Sequence, residues 1–353
     1  MNRALVDRIV KAVLYEGYLL YPYRLSAVKN RQRWTFGGLY PQAYSQVLSG
    51  AEPWSNRTEC LVIGGGRTSL QVTVRFLHLL DRIPGELVES IAQAPESELP
   101  FRPVPALQVG GRIWQPGQEA VEREIALPDV KLSELVDSSQ RLPFGFPADG
   151  KLEILRNTEG EAAGVLVRQQ QAIEGVVELS AQHLEDGLFG LRVRVENHTP
   201  VLEAESREEV LPRALVSTHT ILGVREGEFL SLMDPPEQWR GRAAECQNVG
   251  TWPVLVGEEG EKDTLLSSPI ILYDYPAVAP ESPGDLFDAT EIDEILTLRI
   301  LTLTDEEKKE MTATDPRAAD LLQRTEALAR EQLLKLHGTV RGLQPIQPEK
   351  GHE

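Results

Sequence analysis

The sequence holds little that would mark a chemistry. Cysteine is nearly absent, with only Cys60 and Cys246. Two cysteines so far apart give neither a CxxC pair nor a zinc spacing. A reduced compartment is the simple inference, and a single disulfide between the two stays open. The six histidines, His78, His183, His198, His219, His337 and His352, form no HxH, HExxH or HxxxH spacing. Each therefore reads as a core or surface residue rather than a metal ligand. No GxSxG elbow occurs. No apolar run approaches the roughly 18 residues that a membrane helix needs, so no membrane insertion is expected. Asp7 and Glu16 interrupt the N-terminal apolar stretch, so no signal peptide is expected either. Positive charge is scarce: 36 Lys and Arg face 54 Asp and Glu, a net charge of −18. That balance argues against nucleic acid or anionic lipid as the main partner and suits an acidic, cytoplasmic protein.

What is present describes a β-rich globular protein. The 353 residues can bury a sizeable core, and 41% apolar with 25% charged residues is ordinary for a soluble domain. Leu5, Val6, Ile9, Val10, Val13 and Leu14 share one stripe and predict an amphipathic helix over 2–16, ended by Gly17 and Pro22. From about Arg57 to Arg299 strands follow one another. Leu70, Val72, Val74 and Phe76 alternate with polar residues, and Thr58–Ile63 is the expected hairpin partner across Gly64, Gly65 and Gly66. Pro105–Ile113 turns at Gly110 and Gly111, and Val121, Arg123 and Ile125 alternate with their neighbours. Ile173–His183 and Leu188–Asn197 form the clearest hairpin, across Glu185, Asp186 and Gly187. Further strands are expected at 215–222, 253–256, 269–273 and 295–303. Thr304 with Glu307 opens a helix as a capping box, and Asp315–Pro316 opens another, closed by Gly338. The expected fold is mainly β, an antiparallel sandwich or barrel-like sheets with an N-terminal helix and a C-terminal helical segment.

The chain divides into a helix and wrapping segment (1–50), a first β-rich part (51–150), a second β-rich part (151–303), C-terminal helices (304–338) and a tail (339–353). Stretches 46–56, 94–105 and 143–164 read as loops, with a boundary near residue 150. Gly64 and Gly66 superficially match a dinucleotide fingerprint, but the period-two pattern after them denies it the helix it needs.

Two segments stand out. Eight aromatic residues lie between Tyr15 and Tyr44, among Arg24, Lys29, Arg31 and Arg33. They can serve as binding anchors or pack their rings on the core. From Asp263 to Glu294 there are eight acids and no Lys or Arg, around Pro269–Pro276 and Ser282–Phe287. That reads as a buried strand running into a shaped loop. The candidate binding surface joins both segments: Tyr21, Tyr23, Arg24, Lys29, Arg31, Arg33, Trp34, Asp274, Asp285 and Asp288. Opposite charges on the two segments predict that the N-terminal segment docks beside the 274–294 loop. No cofactor is expected. The alternative is an enzyme, hydrolase-like or divalent-metal-dependent, using Asp274, Glu281, Asp285 and Asp288 as acid–base groups or as oxygen ligands for Ca²⁺ or Mg²⁺.

Val13–Arg24, with Lys29-Asn30-Arg31 and Arg33–Gly37, resembles the start of a family of bacterial proteins that accompany nickel–iron hydrogenase gene clusters. Pro269–Pro276 and Ala279–Asp288 resemble a second block of that family. The resemblance implies an accessory role in hydrogenase assembly or function, with a hydrogenase subunit or maturation factor as protein partner. It implies no catalytic residue. Nickel or iron delivery by this chain alone is disfavoured, because the Cys and His clusters that bind those metals are missing. The leading expectation is thus a non-catalytic accessory protein working through protein–protein interaction.

Overall fold

A computed structural model of the chain describes residues 3–15, 34, 36–88, 100–185, 187–202, 205–276, 299–314 and 316–327. Helices are α1 (Arg3–Leu14), α2 (Gln42–Val47), α3 (Leu132–Asp137), α4 (Arg207–Val210), α5 (Arg240–Glu245), α6 (Asp305–Thr314) and α7 (Pro316–Glu326). The early strands are β1 (Ser55–Ile63), β2 (Ser69–Leu87), β3 (Phe101–Pro103), β4 (Leu107–Val109), β5 (Arg112–Trp114), β6 (Gly117–Ala126) and β7 (Val130–Lys131). After them come β8 (Gln140–Phe146), β9 (Asp149–Arg156), β10 (Ala162–Gln170), β11 (Ile173–Glu185) and β12 (Leu188–Asn197). The last are β13 (Val216–Arg225), β14 (Glu228–Phe229), β15 (Trp252–Leu255) and β16 (Thr264–Ser268).

Among the described residues the strands build two large antiparallel sheets, packed face to face and not closed into a barrel, and a two-stranded sheet of β4 and β5. One runs β14-β1-β12-β11-β8; the other runs β15-β16-β13-β2-β10-β9, with β3, β6 and β7 also on β2. The period-two pattern explains the sandwich. Cys60, Val62, Val177 and Val193 of the first sheet meet Leu70, Val74, Phe76 and Leu222 of the second, while their polar neighbours face outward. Burial of one such apolar side chain is worth about 1.5–3 kcal/mol. The outer face of the second sheet is covered by α1, whose Val6, Ile9, Val10 and Val13 lie on Ile221, Val254 and Leu266. A further core joins Tyr15, Trp34 and Tyr40 to Leu77, Met311 and Leu321, so the C-terminal helices and the N-terminal rings pack together.

The β11–β12 hairpin, the α1 stripe and the Thr304/Glu307 capping box stand where the sequence places them. Four local expectations need correction. Thr58–Ile63 and Leu70–Phe76 are not a hairpin: β1 pairs with β12 over nine positions, and β2 lies in the other sheet. Alternation reports a strand's two faces, not its partner. The glycine turn carries the chain between sheets, fastened by Thr68, whose hydroxyl accepts from Gly65 N–H and donates to Glu226 C=O. Residues 140–146 and 149–156 are strands, not loops, and each sheet takes strands from both sides of residue 150. Residues 269–273 form no strand: the chain bends at 269–270, and 271–273 join no ladder. Leu303 closes a helical turn onto Ile300 where a strand was expected, because a short apolar run does not by itself distinguish the two.

The cysteines lie on opposite faces of β1. Cys60 faces the inter-sheet core, whereas Cys246 packs with Leu61 and Leu188 on the outer side. Both are free. Burial pushes the Cys60 thiol far above its usual range and that of Cys246 to about 11, so neither is a thiolate at neutral pH. Melting curves with and without reductant are expected to coincide. A non-reduced mass short of the two thiol hydrogens would contradict this placement.

Candidate functional site

The described ends of the two unusual segments meet. β13 bulges between Val216, opposite Leu77, and His219, opposite Arg75. The bulged Ser217 and Thr218 turn their N–H groups to Phe36 C=O and Gly37 C=O, each at 3.1 Å. Gly37 has φ +52°, and a Cβ there would collide with the Pro269 ring. The N-terminal segment, the bulge and the start of the Pro269–Pro276 segment are thus in contact. Bulges and strained backbone concentrate at sites that re-aim side chains. Here Ser217 is held at φ +53° with its hydroxyl buried and unpartnered.

The bulge aims His219 at Ser268. Nδ1 of His219 lies 2.7 Å from Ser217 C=O and Nε2 lies 3.2 Å from Ser268 Oγ. A carbonyl only accepts, so Nδ1 carries the proton and Nε2 accepts from Ser268. Burial lowers the His219 pKa to about 4, and the ring is neutral at pH 7. The arrangement is that of a hydroxyl beside a base held by a carbonyl. Ser268 is fully buried, however, and its oxygen also accepts from Ile270 N–H. The pair therefore fastens the beginning of the 269–276 segment to the bulge.

The other end is fastened by Asp274. Its Oδ1 accepts from Leu255 N–H at 2.8 Å and its Oδ2 from the Ser231 hydroxyl, while Tyr275 N–H donates to Leu255 C=O. These bonds replace a ladder that Pro269 and Pro276, lacking N–H, could not complete. Between the fastenings, Ile270 and Leu272 pack onto the α1 core. The alternate residues Ile271 and Tyr273 point out, 69% and 78% exposed.

Of the sequence-predicted site residues, Asp274 is thus a structural anchor with both oxygens engaged. Trp34 is not on the surface: it is buried, with φ +65°, and donates from Nε1 to Gln118 at 2.9 Å. Tyr15 and Tyr40 are also buried, so these three rings take the packing role. Tyr21, Tyr23, Arg24, Lys29, Arg31, Arg33, Glu281, Asp285 and Asp288 lie outside the described residues, as does the pairing expected between the basic and acidic segments. Among the described residues no group of three or more His, Cys, Asp or Glu is arranged to hold a metal ion, and no helix is long and apolar enough to cross a membrane. The His219–Ser268 fastening was not anticipated. Its signal was Ser217-Thr218-His219-Thr220, a polar run inside a strand whose flanks are wholly apolar. No protein-family model and no curated protein matches the chain.

Proposed function

We propose that the protein is a non-catalytic accessory protein that binds another protein through the 269–276 segment. The observation that carries this reading is the outward pair Ile271 and Tyr273, held on backbone fastened at both ends. Exposed large apolar side chains on rigid backbone are suited to interfaces, since little conformational freedom is lost on binding. A Tyr supplies contact area together with a polar tip. The resemblance of residues 13–37 and 269–288 to a hydrogenase-associated family supports a hydrogenase subunit or maturation factor as the partner. Two free thiols suit a cytosolic setting.

Affinity capture of the tagged chain from a bacterium expressing a nickel–iron hydrogenase tests the assignment. Recovery of a hydrogenase subunit or maturation protein is expected. Recovery of none, with turnover of a small molecule by the purified chain, would overturn it in favour of an enzyme.

A further inference from the structure

On the far side of the sandwich, the outward face of the first sheet carries an arginine cluster unusual for so acidic a chain. Arg57 on β1 stands directly opposite Arg194 on β12, and Arg192, two residues along, stands opposite Glu59. Like charges directly opposite each other destabilise a sheet. All three arginines line one cleft of about 390 Å³, with Ser55, Ser180 and a single carboxylate, Glu178. Glu178 is drawn toward Arg141, at 3.3 Å. In the next ring, Glu196 takes Arg194 at 2.8 Å and Arg141 at 3.1 Å. Four guanidinium groups therefore face three carboxylates.

The cleft also has unspent donors. Both oxygens of Glu59 are taken, one by Arg192 Nε at 2.8 Å and the other by Gln247 N–H at 2.8 Å. That grip holds Arg192 in place, and among the described residues its Nη1 and Nη2 have no partner. Arg57 spends Nε and Nη2 on Gln247, each at 3.1 Å, with Nε also 3.7 Å from the Glu59 oxygen that Arg192 holds, which leaves Nη1. Ser180 and Arg192 also line an adjoining cleft of about 480 Å³, so there is room beyond a single ion.

We propose that this cleft is a receptor for a small polyanion carrying phosphate or carboxylate groups, with Arg57, Arg192 and Arg194 as its cationic contacts. Paired guanidinium donors match the oxygens of such groups. A bound anion would add counter-charge to Arg57 and Arg194, which face each other while sharing Glu59 and Glu196 with Arg192 and Arg141.

Titration with pyrophosphate and with citrate, at constant ionic strength set by NaCl, tests this by calorimetry and melting temperature. At least one of the two should bind saturably and raise the melting temperature, and their ratio tells a phosphate from a carboxylate ligand. Arg57→Gln and Arg192→Gln should each weaken binding by about tenfold or more. Arg57→Gln should leave the free protein's melting temperature unchanged or raised. The proposal is overturned if neither anion exceeds NaCl, or if both variants bind as tightly as the unmodified chain. It also fails if Arg57→Gln lowers the melting temperature and keeps the affinity, because Arg57 then only pins the 247–249 segment.

Discussion

Lowering the pH from 6.5 to 5 is expected to destabilise the fold by about 3 kcal/mol, through His78 and His219 together. Both rings are wholly buried. Burial lowers each pKa to about 4, and the nearby Arg123 charge adds to the shift of His78. His78 Nε2 donates to Gln171 C=O at 2.9 Å while its Nδ1 is buried without a partner, so a second proton would have no acceptor. In the unfolded chain each ring has an ordinary pKa near 6.5. Between pH 6.5 and 4 the unfolded state therefore binds more protons than the folded one. Stability is full above pH 6.5 and falls as the pH drops toward 4. Asp81, whose carboxyl is held above its usual range by burial, works in the opposite sense at the acid end. The interval from 6.5 to 5 lies above the ordinary carboxylate range, which isolates the histidines. Urea unfolding at several pH values measures the slope, and His219→Gln should remove about half of it. A flat profile in the unmodified chain would show that these rings are not held neutral.

Glu119→Ala is expected to cost about 3–5 kcal/mol, on the order of 10 °C in melting temperature. Arg82 is 1% exposed and, among the described residues, reaches Gln115 C=O from Nε at 3.0 Å, Glu119 from Nη1 at 3.1 Å and Ala313 C=O from Nη2 at 3.3 Å. It thus joins β2 to β6 and to the end of α6. The second oxygen of Glu119 holds Arg168 at 2.7 Å. Removing the carboxylate takes the Glu119 counter-charge from a buried guanidinium, and the penalty arises mostly from that. Arg82→Met removes the charge and keeps much of the volume, so it should cost less. Adding it to Glu119→Ala should recover part of the loss, giving a strongly non-additive double-mutant cycle. Additive losses measured by thermal unfolding would mean that the two side chains are not coupled.

The sequence discloses some layers of this structure and hides others for physical reasons. Leu191, Val193 and Val195 alternating with Arg192, Arg194 and Glu196 disclose a two-faced strand, because the pleat has period two. The Thr304/Glu307 box discloses a helix start, because both partners are three residues apart. Partner choice is different. Nothing local tells β1 to pair with β12, more than a hundred residues away, rather than with β2 across a glycine turn. The candidate site is hidden for the same reason: His219 and Ser268 lie on adjacent strands but 49 residues apart. The importance of 269–276 was legible in its unusual composition, whereas the role of Asp274 was not. A carboxylate in an acidic stretch looks like a ligand until its two oxygens are seen to be spent on Leu255 N–H and Ser231.

In the proposed function the 269–276 segment is a rigid interface. The most direct measurement is the Kd of the partner recovered by affinity capture for the unmodified chain and for an Ile271→Ser, Tyr273→Ser variant, with each variant's unfolding recorded beside it. Both side chains are mostly exposed, so stability should change by no more than about 0.5 kcal/mol. Loss of two interface anchors should weaken binding by about thirtyfold or more. An unchanged Kd with an intact fold would contradict the account.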